Sequence, residues 1–293
     1  MPMFAENNNP EATIGDYFAL LKPKVMSLVV FSGFVGMWIS PGLSALHPFL
    51  AFIGILCLAL NAGAAGAINM WYDRDIDKIM KRTCERPIPK GKIAPDDALA
   101  FGLIISLLSV MVMGLALNWV AASLLAFANI FYVFIYTMCL KRSTPQNIVI
   151  GGAAGAFPPM IGWSMVSGDI STMPILMFLI IFFWTPPHFW ALSLFANEDY
   201  KRANIPMMSV TAGPRSTKIQ MLVYTLVLFP ITVAPYLLGY SNFIYGGIAC
   251  LLSGFFVVTA IRVLQNDDLK HAKQMFGYSV FYLFALFSAL MLS

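Results

Sequence analysis

Asn69, Asp73 and Asp77 stand at i, i+4 and i+8 in the stretch NMWYDRDIDKIMKRTCERPIPKG, residues 69–91. On a helix these three side chains share one face. One amide oxygen and two carboxylates there suit Mg2+, a hard cation that takes oxygen ligands and keeps some of its waters. Arg82, Arg86 and Lys90 follow in the same stretch. Acids that hold Mg2+ beside bases that hold phosphate oxygens describe a diphosphate site. The plainer reading is a solvated helix whose charges serve only topology. An Asn at a membrane boundary, followed by carboxylates on its own face, weighs against it.

Two further polar stretches stand beside this one. FANEDYKRANIPMMSVTAG, residues 195–213, carries Glu198 and Asp199 next to Tyr200, Lys201 and Arg202. Alone it reads as a solvated turn; its value lies in its position, as shown below. YTMCLKRSTPQN, residues 136–147, has Lys141 and Arg142 as its only charges. That pair is either a topology anchor or a clamp on diphosphate. His188 lies in WTPPHFW, residues 184–190. It could serve as a haem ligand, as a proton carrier, or as a hydrogen bond between helices.

The elements that must position these residues are membrane spans. The chain has 293 residues, of which 59% are hydrophobic and 11% charged, whereas a soluble domain is usually about 25% charged. Its mean hydropathy is +0.76. One soluble core could not hide that much apolar surface. A spanning helix needs about 20 apolar residues. About nine such stretches are expected, at roughly 25–43, 48–69, 98–117, 119–140, 148–167, 173–195, 219–238, 243–264 and 275–292. The expected fold class is therefore all-α and polytopic. One membrane domain is expected over 1–293, with 1–17 as a polar tail. That tail has neither a basic start nor a small-residue cleavage pattern, so no signal peptide is expected. It is acidic and free of Arg, which argues against a mitochondrial presequence.

With these spans, all 18 Lys and Arg residues fall on one side of the membrane. The alternate loops, around Ser44, Asn118, Gly168–Ser171 and Tyr240–Asn242, carry none. By the positive-inside rule the N-terminus and the charged loops face the cytoplasm and the C-terminus lies outside. A bacterial inner membrane with a periplasmic C-terminus fits best. Of the 14 acidic residues only Asp169 lies on the far side. The first acidic stretch follows the second span and the other follows the sixth. That separation of four spans implies two four-helix halves that bring acidic loops together. The net charge of +4 is spread over several short loops and is no nucleic-acid signal. The lipid bilayer is the expected partner.

Inside the spans, NAGAAGAIN (61–69) and GGAAGAFPPM (151–160) are rich in small residues. These permit close helix packing or leave room for a bulky ligand. Pro158–Pro159 and Pro186–Pro187 disrupt helical hydrogen bonds at depth. Cys57, Cys84, Cys139 and Cys250 show no CxxC spacing and read as core thiols.

These motifs resemble a known family. The Asn69–Asp73–Asp77 series and RTxxRP at 82–87 look like the UbiA superfamily of intramembrane prenyltransferases. GAxPPxxGW at 155–163, TPPHFWAL at 185–192 and DYxxANIPM at 199–207 are similar to its haem-farnesylating branch. With LLKPKV at 20–25, these stretches extend over most of the chain up to the seventh span. The resemblance implies a UbiA-like helical bundle. Its implied reaction moves a farnesyl group from farnesyl diphosphate to a vinyl group of haem B, with water addition, to give haem O. Mg2+ is the implied cofactor, held by Asn69, Asp73, Asp77 and Asp199. Lys22, Arg82, Arg86, Lys141 and Arg142 match the basic positions around the diphosphate. His188 matches a family histidine, here read as the haem contact. The sequence departs from the wider superfamily at Met70, where many relatives have Asp, and at Ala203, where a second Asp would complete DxxxD. Glu198 is the available substitute as a metal ligand. Haem A synthase or oxidase-assembly proteins are the implied partners. The competing enzyme reading is a quinone-pathway aromatic prenyltransferase. A transporter is disfavoured because the acids sit at the rim and not at the midplane. A haem chaperone would need no aspartate series.

Overall fold

The structure, a computed structural model, describes residues 12–292. It opens with α1 (Ile14–Leu20) and α2 (Pro23–Trp38), and α3 (Pro48–Tyr72) runs directly into the short α4 (Arg74–Ile79). After α5 (Pro95–Ala116), α6 (Trp119–Ile130) continues as a π-helical segment, Phe131–Leu140. α7 (Asn147–Ala156) and α8 (Pro158–Ser167) meet at Phe157, and α9 (Thr172–Phe195) follows. The short α10 (Asn197–Arg202) and α11 (Met208–Thr211) lead to α12 (Gly213–Leu237), α13 (Phe243–Gln265) and α14 (Leu269–Leu290).

Among the described residues, seven helices are long and apolar enough to cross a bilayer: α3, α5, Trp119–Leu140, Asn147–Ser167, α9, α12 and α13. The bent pair Ile14–Leu20 and Val25–Trp38, 63° apart, makes an eighth if it crosses as one span. Eight of the nine expected spans fall on these helices. The last falls on α14, which begins at Leu269 and carries Lys270, His271 and Lys273 near its start; these keep it out of the seven. The predicted polar tail is only partly in view, because residues 1–11 lie outside the described residues. Its end is already helical. Thr13 caps α1 by accepting from the Asp16 backbone N–H, while Asp16 accepts from Thr13 at 3.1 and 2.7 Å.

Small residues set the closest helix approach. A Cβ on Gly162 of α8 would stand 1.8 Å from the carbonyl oxygen of Gly33, and one on Gly36 of α2 would stand 2.1 Å from that of Pro159. α2 and α8 therefore pack backbone to backbone, which membranes reward because dispersion and not water exclusion drives helix association. α14 packs on α2, α9 and α13, which joins the last helix to the first long one. The largest core cluster contains Trp184, Trp190, Met221, Phe256, Tyr282 and Phe287. Polar links cross it. The Tyr282 hydroxyl is 2.8 Å from Thr232 Oγ1 and 3.1 Å from Ser253 Oγ. The outer surface carries an apolar belt, with Leu103, Leu107, Phe127, Leu251 and Phe281 exposed. Only Cys57 of the four cysteines is buried; Cys139 and Cys250 are exposed on the outer surface, contrary to the core-thiol reading.

The helix ends sort by polarity. At one end Asp16 meets Lys92 at 2.8 Å, Lys22 meets Asn69 at 2.7 Å, and Lys218 meets Asp267 at 2.9 Å. At the other end, Ser40 and Asn118 bond carbonyls of α8, and Asn242 bonds Leu292. The loops that carry the charges are thus gathered at a single end of the bundle.

Candidate active site

Asn69 lies in the last turn of α3, Asp73 at the junction with α4, and Asp77 within α4. The Asp73 and Asp77 amides still bond the carbonyls four residues earlier, at 2.9 Å each. The helical register thus runs through the junction and holds the three side chains on one face, as their spacing predicts. Both carboxylates are buried, with 0% and 1% of each residue exposed. A buried charge survives only with partners, and each has them. Asp73 is bound by Lys141 and by Arg142 at 3.3 Å, and it accepts from the Asn69 amide at 2.8 Å. Asp77 accepts from Arg86 at 2.7 Å. Lys22 donates to Asn69 Oδ1 at 2.7 Å, and its ammonium also lies within electrostatic reach of Asp73, Asp77, Arg86 and Lys141.

Local sequence explains how the outer residues arrive. Lys22 has a left-handed backbone, with φ 52°, at the break before Pro23. Gly63 and Gly66 of α3 leave room for that turn. A Cβ on Gly66 would stand 3.3 Å from Lys22 Cδ, and one on Gly63 would stand 2.8 Å from Leu21 Cδ2. Lys141 and Arg142 are delivered by the π-helical segment, whose wider turn is seen in the Lys141 N–H to Tyr136 carbonyl bond of 2.9 Å. Such segments are frequent at functional sites. The Arg142 guanidinium lies over the Tyr72 ring at 5.0 Å and grips Asp75 with two bonds of 2.7 Å. That pairing holds the Asp75 carboxyl below the usual range and raises Arg142. Arg142 Nε is buried with no partner, a spare donor beside the carboxylates.

The second acidic stretch meets the first. Ile76 and Met80 pack in one cluster with Tyr200, Ala203, Ile205 and Met207. Tyr200 lies within electrostatic reach of Arg82, Asp199 and Arg86. Burial still pushes the Tyr200 hydroxyl upward against the pull of Arg82. Arg82 and Arg86 thus lie near both acidic elements. Asp199 is paired with Arg202 and its side chain is 16% exposed; Glu198 is turned to solvent, 77% exposed, and pairs with Lys201 at 3.1 Å. Lys90 pairs with the exposed Glu85 and stands apart from the group.

His188 lies deeper. From it to Ala196 the axis of α9 advances roughly 12 Å at about 1.5 Å per residue. Its ring is stacked between Trp184 at 4.3 Å and Phe276 at 4.6 Å. Nδ1 is 2.6 Å from Ser279 Oγ, which itself lies 2.6 Å from the Phe276 carbonyl. With the serine's one proton on that carbonyl, Ser279 accepts from His188 Nδ1–H. Nε2 is then the nitrogen with the free lone pair.

Sequence reasoning missed several contributors. Thr137 is fully buried and accepts from the Asn69 amide at 3.1 Å. The Tyr132 and Tyr136 rings lie tilted with centroids 5.4 Å apart, and both are within electrostatic reach of Asp73 and Arg82. Asp75 and Tyr200 complete the set. An i, i+4 aromatic pair just before Lys141 was the visible signal for the tyrosines. Nothing in the sequence marks Thr137, because the π turn decides where it points.

The fold and this rim together define an integral membrane protein whose buried carboxylates and converging cations suit a metal-bound polyphosphate. The chain belongs to the UbiA prenyltransferase family, which residues 29–287 match, and is an intramembrane prenyltransferase. It is 58% identical to protoheme IX farnesyltransferase 2 of Mesorhizobium japonicum, over 95% of this chain and 90% of that one. It is 55% identical to protoheme IX farnesyltransferase of Agrobacterium fabrum, over 96% and 89%. Among solved structures it resembles a digeranylgeranylglyceryl phosphate synthase with a TM-score of 0.79 at 16% identity, covering 95% of this chain and 97% of that one. A UbiA homologue from Archaeoglobus fulgidus bound to GPP and Mg2+ gives 0.67 at 18%, over 94% and 99%. These two share the fold.

Proposed function

We propose that this chain farnesylates haem B: it transfers the farnesyl group of farnesyl diphosphate to a haem vinyl group, with water addition, and releases haem O and diphosphate. The observation that carries the proposal is the meeting of the two acidic elements at one rim, where Ile76 and Met80 pack against Tyr200 and Arg86 pairs with Asp77. The choice of acceptor rests on the likeness to the protoheme IX farnesyltransferases, and the aromatic quinone-pathway alternative has no comparable support. The site lies at the cytoplasmic face of a bacterial inner membrane, with the C-terminus periplasmic.

Mg2+ fits the donor set. Among the described residues no three Asp, Glu, His or Cys side chains cluster tightly enough to hold a metal alone. Mg2+ ordinarily binds one or two carboxylates together with substrate phosphate oxygens. Asp73, Asp77 and Asn69 would hold it from the first element and Asp199, less exposed than Glu198, from the second. When bound, the metal supplies charge neutralisation of the leaving diphosphate. The protein's own cations do the same from the opposite side. Lys22, Arg82, Arg86, Lys141 and Arg142 outnumber the two buried carboxylates they surround, and Arg142 Nε has a donor to spare. Breaking the allylic C–O bond leaves both electrons on the diphosphate and a cation on the farnesyl chain. Fixed positive charge at the rim lowers that barrier. The apolar interior keeps bulk water from the cation until the vinyl carbon attacks. His188, with Nε2 unprotonated and its ring held on both faces, is the proposed haem contact. A metal-binding histidine ordinarily donates its other N–H to an acceptor, and here Ser279 accepts it.

The test is incubation of the purified chain with haem B, farnesyl diphosphate and Mg2+, followed by mass analysis of the haem. Haem O is expected, its formation stopped by EDTA and restored by added Mg2+. Prenylation of 4-hydroxybenzoate with haem left unchanged would overturn the reading.

A further inference from the structure

At the charged end of the bundle, outside the site described above, α13 and α14 enclose a cleft of about 190 Å3. Phe255, Thr259 and Arg262 form one wall, and His271, Gln274 and Tyr278 form the other. The spacings are i, i+4, i+7 on α13 and i, i+3, i+7 on α14. Each is a one-face spacing, so the cleft runs along the helix axes. Its polarity is graded in that direction. Arg262, His271 and Gln274 stand near the 266–268 turn, whereas Phe255 and Tyr278 lie further into the apolar belt.

Hydrogen-bonding capacity is left over at the polar end. Among the described residues, neither the Arg262 guanidinium nor the Gln274 amide makes a hydrogen bond or ion pair. Thr259 donates to Phe256 at 2.7 Å and Tyr278 to Leu252 at 2.8 Å, so both hydroxyl oxygens can still accept. The neighbouring acids are engaged: Asp267 with Lys218 at 2.9 Å and Asp268 with His271 at 2.6 Å. Arg262 is thus the uncommitted cation of the cleft. An arginine fork with free N–H groups matches phosphate oxygens. Basic pockets between transmembrane helices at the charged leaflet are suited to anionic lipid head groups.

We propose that this cleft binds one anionic phospholipid, with its phosphate on Arg262 and Gln274 and the start of an acyl chain along Phe255 and Tyr278. The apolar end of the cleft selects a lipid over a wholly soluble anion, and Arg262 selects an anionic head group over a zwitterionic one. Native mass spectrometry of the full chain in detergent, titrated with phosphatidylglycerol or phosphatidylcholine, tests it. Wild type is expected to retain one phosphatidylglycerol in preference to phosphatidylcholine. The Arg262→Ala, Gln274→Ala double variant should lose that lipid about tenfold more readily, the scale of a lost charge-assisted contact. Arg262→Lys should fall between, with unfolding temperature and prenyl transfer in detergent unchanged. Equal retention of phosphatidylglycerol by variant and wild type would overturn the proposal. So would equal retention of the two lipids by wild type, or displacement of the lipid by inorganic phosphate, which would mark a free-phosphate site. If the double variant does not fold, Arg262→Lys carries the test, and retention equal to wild type counts against the lipid.

Discussion

Asp73 has no accessible surface and is gripped by two cations and an amide. Its carboxylate is a functional commitment, since a buried ion pair contributes little net stability, and the cations its loss would strand are part exposed, with Arg142 still held by Asp75. Asp73→Ala should therefore leave a monodisperse, folded protein in detergent while haem O formation falls by about 10²-fold to 10³-fold or more. Near wild-type turnover would remove the metal and diphosphate role from this residue. Ser279 reads differently, because it acts through His188. Ser279→Ala should weaken haem binding by about 10-fold to 100-fold, as loss of a histidine's orienting acceptor typically does, and shift the haem absorption bands. Ser279→Thr should rescue both, because the hydroxyl returns. A haem titration of Ser279→Ala and of His188→Ala that matches wild type would assign the Ser279–His188 bond to helix packing alone.

At the scale of elements, glycine decides where helices touch. The sequence offered two uses for the small-residue runs, packing or room for a ligand. The structure uses Gly63 and Gly66 to seat the Leu20–Lys22 turn, Gly151 to seat the Tyr136 ring and Gly152 to seat Thr185, while Gly155 faces open space. Packing thus accounts for most of the run. The tightest contact is Gly162 against α2. Gly162→Leu should drive those backbones apart and lower stability by about 1–3 kcal/mol, read as a lower unfolding temperature in detergent. Gly155→Ala should leave that temperature unchanged. The π-helical segment is the element that turns Lys141 and Arg142 toward Asp73. Its sequence is that of the end of a regular span, because apolar residues satisfy α and π turns alike.

Across the whole molecule, the charge pattern and the fold agree on which loops share an end, and the membrane supplies the orientation. Fusions after residue 293 should be active with alkaline phosphatase and dark with green fluorescent protein, and fusions within the Lys141–Asn147 loop should behave in reverse. The opposite result would turn the rim to the periplasm.

The sequence by itself determined the helices, their order, and the sorting of charge to one end. Those follow from local apolarity and from the cost of carrying charge across lipid. It also set Asn69, Asp73 and Asp77 on one face, since i, i+4 spacing on a continuing helix needs no tertiary help. Only the tertiary structure decided which cation meets which carboxylate, that Tyr200 of the second acidic element packs on Ile76 and Met80 of the first, that Glu198 turns outward, and that Ser279 meets His188 Nδ1. Most of these depend on elements far apart in the chain coming together, and that geometry is set by backbone packing at Gly33, Gly36 and Gly162 and by a change of helical pitch, neither of which leaves a periodic trace in the residues.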